Sequence, residues 1–358
     1  MALSPMSLIP SYLSHLFSAT HRSLTPQLVI IARFLALLTL LHHYFPFPFR
    51  TPFFTFLITE EIPYNLITRY VMWMGCLLVL LTKHVRLGTA ACGLSLWVGL
   101  LLCRSCHSNA HMYLASIFLV ISCSNSLTKN RLLQAQVIIL YLGAFLVKVI
   151  DPDWWNGNYF ETLMIRRHHL AWYSKVAALF SGQLFSAFMG IFVIVIELLI
   201  PILLLRKKWW HYGLAIALTF HTVMIIMMNI TFGPFYFSLA ASYLIFIRHF
   251  ANFSLHNNFL HRYPNFGRFL LGDIKVSTTE SAKLQTSFAA NTRFSGYFAL
   301  VFTLVRTPLA WYSFALLTWF FHPMNCIIIG HLLLLPYYLY LLRRWFLNQL
   351  KFRRTLIP

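Results

Sequence analysis

The chain has 358 residues, of which 59% are hydrophobic and 10% charged, and its mean hydropathy is +0.69. That is more apolar surface than a soluble fold can hide, because a soluble exterior needs polar cover. The formal charge of +20 does not make a nucleic-acid binder of it, since the basic residues punctuate apolar stretches instead of gathering on one polar face. What remains is an all-α, polytopic integral membrane bundle, whose helices satisfy their own backbone in lipid.

Residues 1–26 lack the basic start, apolar run and small-residue cleavage site of a signal peptide, and read as a cytoplasmic N-terminal segment. Stretches long enough to cross about 30 Å of hydrocarbon follow at 27–45, 66–82, 87–103, 109–124 and 134–150, then at 184–205, 209–228, 233–248, 294–319 and 325–342. The expectation is about ten transmembrane helices in one bundle, 27–342. The fourth stretch is short for a simple span and is expected to be tilted, broken or sunk among its neighbours. Two connections are long enough to fold. Residues 151–183 mix aromatic, basic and apolar side chains like interfacial helices forming a lid. Residues 248–293 are rich in Asn, His, Ser and Thr and read as a partly ordered surface connector. A basic tail, 343–358, ends the chain.

Charge orients the bundle. Alternate loops, the connector, the tail and Arg22 hold nineteen of the 28 basic residues, against five in the opposite loops. By the positive-inside rule both termini are cytoplasmic, and 151–183 lie on the outer side. A bacterial inner membrane, with the candidate site facing the periplasm, is the expected location.

Polar residues inside the spans are few. Arg33 in the first span should face the interior, and Glu197, the one carboxylate within a span, is its natural partner, as a structural ion pair or as part of a site. Lys148 ends the fifth span in the run KVIDPDWWNG. Lost hydration favours its neutral amine, a base for an enol or hydroquinone, while Asp151 and Asp153 favour the ammonium. The bland alternative is a snorkelling anchor beside Trp154 and Trp155 in an interfacial belt. His221, with Asn229 on nearly the same helix face, suits a phenol or quinone oxygen, or a plain interhelical hydrogen bond. Asn109 and His111, at the start of the fourth span, invite a binding role or simple helix-entry capping. Cys103 and Cys106 form a CxxC pair that is redox active in an oxidising compartment, or merely packs. The adjacent histidines of RHHL diverge by about 100° on a helix, and without HExxH or an acidic cage no metal is expected. Phosphate-loop, GxGxxG and GxSxG signatures are absent as well.

The order YLGAFLVKVIDPDWWNGNY, IELLIP, FHTVMIIMMN and FGPFYF, with Arg33 and NAHMYL upstream, resembles the horizontally transferred transmembrane domain family. That family includes the vitamin K-dependent gamma-carboxylase. The resemblance covers residues 25–250 or so. It implies that Lys148 deprotonates reduced vitamin K or a related quinol, that oxygen then yields a strong base, and that His111 and His221 help hold the vitamin. Asn109, Asp151, Asp153, Trp154, Gly157, Arg33 and Glu197 would line or support the site. The carboxylase continues into a large lumenal substrate-docking domain with no counterpart here, so the acceptor, a protein or small molecule on the outer side, is unnamed. Membrane lipids and quinone are the expected partners. A noncatalytic lipid- or quinone-binding module, or a thiol redox protein using Cys103 and Cys106, are the alternatives.

Overall fold

The computed structural model describes residues 24–41, 62–102, 109–228 and 234–247, four short strands between 254 and 295, residues 297–321, and scattered positions from 325 to 343. Thirteen helical elements are named among them: α1 Pro26–Leu41, α2 Ile62–Leu81, α3 Val85–Leu102, α4 Asn109–Cys123, α5 Arg131–Ile150, α6 Pro152–Asn156, α7 Asn158–Phe160, α8 Ala171–Ala177, α9 Leu184–Leu205, α10 Trp210–Met228, α11 Pro234–Ser242, α12 Tyr297–Arg306 and α13 Pro308–Phe320. A π-helical segment, Glu161–Arg167, continues α7. The chain divides into two compact units, Met1–Leu133 with Phe232–Cys326, and Gln134–Thr231 with Ile327–Pro358.

The first unit is built around α1. This helix is apolar on every side and buried continuously from Gln27 to Ala36, as expected of a core helix with no polar stripe to show. It packs against α2, α11 and α13, with Phe34 edge-on to Trp311 at 5.0 Å between centroids. Helices α2 and α3 form a hairpin through small residues: a Cβ on Gly88 would lie 2.7 Å from the Gly75 carbonyl oxygen, so only glycine permits that approach. Beside this contact the buried thiols of Cys76 and Cys92 stand 3.6 Å apart. The short α4 packs on α3 and α11 and buries Tyr113, Leu114, Ile117 and Phe118.

The connector contributes an element outside the all-α expectation. Strands β1 Ser254–His256, β2 Lys275–Ser277, β3 Gln285–Phe288 and β4 Thr292–Ser295 form a sheet of order β2-β1-β3-β4. Pairing is parallel between β1 and β2 and antiparallel elsewhere, with Thr286 opposite Leu255 and Phe294. Short runs such as KVS and QTSF read as loop by composition; pairing between strands is what makes them a sheet.

The second unit holds the three helices long and apolar enough to cross a membrane, Arg131–Ile150, Leu184–Leu205 and Lys207–Met227. The first unit holds five shorter apolar helices among the described residues, Pro26–Leu41, Ile67–Leu81, Val85–Leu101, Asn109–Cys123 and Phe235–Phe246. Exposed side chains on the long helices include Ile139, Leu146, Phe188, Phe192 and Val195, a surface suited to lipid.

Candidate functional site

The turn after α5 explains the DPDWWNG run residue by residue. Asp151 caps α6 by accepting from the Asp153 backbone N–H at 3.0 Å. Pro152 occupies the first turn, where its missing N–H costs nothing. Gly157 closes the helix at φ +89°, the left-handed conformation that glycine adopts without penalty. This compact turn lies directly on α9. A Cβ on Gly157 would fall 2.6 Å from the Ala187 nitrogen, and one on Gly190 2.0 Å from the Trp154 carbonyl oxygen. Two glycines therefore bring the Trp154 backbone against α9 and turn its ring, which is buried, back toward α5.

Under that ring sits Lys148. Its Nζ is 2.8 Å from Glu197 Oε2 and 4.8 Å from the Trp154 ring centroid, and it donates to the Ala144 carbonyl at 3.3 Å. Tyr159 stacks on Trp154 at 3.9 Å between centroids. Four residues beyond Glu197, Pro201 is buried within α9; lacking an N–H, it leaves the Glu197 carbonyl without its usual helical donor. Seven residues before Lys148, and so on nearly the same face of α5, the Tyr141 hydroxyl lies 2.9 Å from His221 Nε2.

The remainder of the lid is tied down by a buried hydroxyl chain. Tyr173 donates to Ser186 Oγ at 2.8 Å, and Ser186 donates to Glu161 Oε2 at 3.0 Å. Burial pushes the Tyr173 phenol above its ordinary range; the Ser186 hydrogen bond opposes the shift and the Glu161 charge adds to it. Burial also raises the Tyr159 phenol, with the Arg167 guanidinium opposing and the Glu197 and Asp151 carboxylates adding.

The expected pairing of Arg33 with Glu197 is corrected: Glu197 pairs with Lys148. Arg33, buried in α1 of the first unit, donates from Nε to the Val79 carbonyl at 3.2 Å and bonds Tyr312. The reason is chain geometry: α5 and α9 are joined by the lid, which draws the end of α5 to the middle of α9, and a lysine stem reaches across. Asp151 and Asp153, set beside Lys148 by sequence, are used otherwise, the first as a cap and the second accepting from Asn158 Nδ2 at 3.3 Å. Trp154 and Trp155 also part company. Trp154 is buried on Lys148, whereas Trp155 is exposed and donates to the Val149 carbonyl.

Lys148, Trp154, Gly157, Glu197 and His221 all fall in the second unit, while Asn109, exposed at the start of α4, and His111, half-buried, belong to the first. Cys103, Cys106 and Asn229 lie outside the described residues. Tyr141, Tyr173 and Ser186 escaped sequence reasoning; only the seven-residue interval from Tyr141 to Lys148 offered a signal. Among the described residues no group of three or more His, Cys, Asp or Glu is placed to hold a metal ion. Comparison of the chain with protein-family models, curated proteins and solved structures returns no match.

Proposed function

We propose that this chain is an integral membrane protein of about ten spans, similar to the membrane domain of the vitamin K-dependent gamma-carboxylase, with Lys148 as the base of a quinol site. Both termini are cytoplasmic and the lid faces the outer, periplasmic side of a bacterial inner membrane. The observation that carries the reading is the placement of Lys148 between Glu197 and Trp154 at the end of an apolar helix, with Tyr141 and His221 paired two turns away on the same face.

The donor set fits a hydroxyl-bearing ring. Tyr141 and His221, hydrogen-bonded to each other, are of the side-chain types that exchange hydrogen bonds with a hydroxyl oxygen, and Trp154 and Tyr159 add flat apolar faces. Lys148 takes the proton of a bound hydroxyl only as the neutral amine. Transfer of its ammonium proton to Glu197 supplies that amine, converting an ion pair into a neutral amine and carboxylic acid, so no uncompensated charge arises in apolar surroundings. A reduced vitamin K or related quinol, once deprotonated and reacted with oxygen, would supply a strong base toward an acceptor on the outer side.

A second reading draws on the same ion pair. Glu197 neutralises Lys148 at rest, which also suits a noncatalytic module that binds a lipid or quinone. The experiment is oxygen-dependent quinol epoxidation by the purified full chain, with mass spectrometry of copurifying lipids and quinones. Turnover lost in both Lys148→Ala and Lys148→Arg, with ligand retained in the arginine variant, is the expected result. Retention without turnover in the unaltered protein selects the noncatalytic module, and failure to bind or oxidise any quinol ends both readings.

A further inference from the structure

The lid carries a charge separation that the site does not use. Its three acids serve the folding of the loop itself: Asp151 caps α6, Asp153 holds Asn158, and Glu161 takes the buried Ser186 hydroxyl. Its three permanent cations do none of this. Arg166 and Arg167 close the π-helical segment and Lys175 lies in the last turn of α8, and all three are exposed. The ion pair between Lys148 and Glu197 is the single one among the described residues, so none of the three has a carboxylate in contact there. The π-helical segment and α8 pack together, which brings the cations to one part of the loop.

Large apolar side chains are exposed in the same stretch. Trp172 is 40% exposed, Leu179 80% and Phe180 44%. The helix α8 carrying Trp172 is only seven residues long, and Leu179 and Phe180 follow in the turn that leads to α9. A soluble partner protein would account for apolar exposure, and a soluble anion for the cations. Cations interleaved with exposed aromatic and aliphatic residues at the end of a membrane-length helix meet both requirements at one surface, where phosphates lie above acyl chains.

We infer that the lid docks on anionic phospholipid headgroups, with Arg166, Arg167 and Lys175 on the phosphates and Trp172, Leu179 and Phe180 at the acyl boundary. The lid is then held as a membrane-surface element, and the composition of the leaflet biases how firmly it is seated. This stands apart from the chemistry at Lys148, and a protein without any quinol turnover would still show it. Arginine suits the role because its planar fork binds phosphate oxygens in pairs.

Hydrogen exchange of the full chain in nanodiscs tests it directly. Peptides covering 163–183 should exchange several-fold more slowly in discs containing phosphatidylglycerol than in discs of phosphatidylcholine alone. The difference should shrink in Arg166→Gln/Arg167→Gln and at high salt, while peptides within 184–205 stay unchanged. Equal exchange of 163–183 in the two discs overturns the inference without need of any variant. Equal protection in detergent by inorganic phosphate or by polyglutamate overturns it in favour of a soluble anion or an acidic polypeptide.

Discussion

Gly190 shows how little space separates the lid from the helix beneath it. A methyl group there meets the Trp154 carbonyl oxygen at 2.0 Å, and since that oxygen is backbone the whole turn must move. Gly190→Ala should therefore destabilise the protein by about 1–3 kcal/mol or more and expose 151–183 to proteases, read as a lowered melting temperature in detergent and faster cleavage of the lid. Gly157→Ala adds an unfavourable backbone angle at φ +89° to a similar clash. At Lys148 and Glu197 the expected signature is non-additive. Each single change to an apolar residue strands a largely buried charge and costs about 3–5 kcal/mol, whereas Lys148→Met/Glu197→Leu should recover most of that loss. A double-mutant cycle on denaturant midpoints measures it, and additive losses would mean the pair contributes no coupling.

Among elements, the lid has its own dependence on pH. The Tyr159 and Tyr173 phenols are both raised by burial, so the folded lid holds their protons above the pH at which the unfolded segment releases them. The stability this represents is complete below the ordinary tyrosine value of about 10 and is lost as pH rises through the higher folded values. Loosening of 151–183 should thus begin above about pH 10, and the combined Tyr159→Phe/Tyr173→Phe variant should remove most of this dependence, as followed by proteolysis across pH. In the first unit, Gly88→Leu should prise α2 from α3, because the obstructing atom is the Gly75 carbonyl; loss of a Cys76–Cys92 cross-link under a membrane-permeant thiol oxidant reports the separation. Most helix positions were readable from apolar length, since an α-helix satisfies its own backbone whatever its neighbours do, but the single stretch expected at 294–319 is two helices, Tyr297–Arg306 and Pro308–Phe320, divided where Thr307 precedes a proline. The sheet from Ser254 to Ser295 was not readable, because its strands of three or four residues owe their conformation to pairing with one another more than to their own composition.

For the whole molecule, charge asymmetry makes the testable statement. Reporter fusions at residues 129, 206 and 343 should report a cytoplasmic side, and fusions within 151–183 the outer side; the opposite pattern would place Lys148 at the inner face. Alkaline carbonate should leave the chain in the membrane pellet, in keeping with three helices long and apolar enough to cross.

Composition and apolar run length determined by themselves that this chain is largely helical and apolar enough for a bilayer, because those properties add up residue by residue. They also singled out Lys148, Glu197 and His221, together with Arg33, Asn109 and His111, as polar residues in apolar surroundings. Tertiary structure alone decided the partners. Glu197 belongs to Lys148 and not to Arg33, and His221 to Tyr141, because a contact between helices depends on how the lid folds back on α9, and that depends on two glycines whose role is visible only when their neighbours are in place.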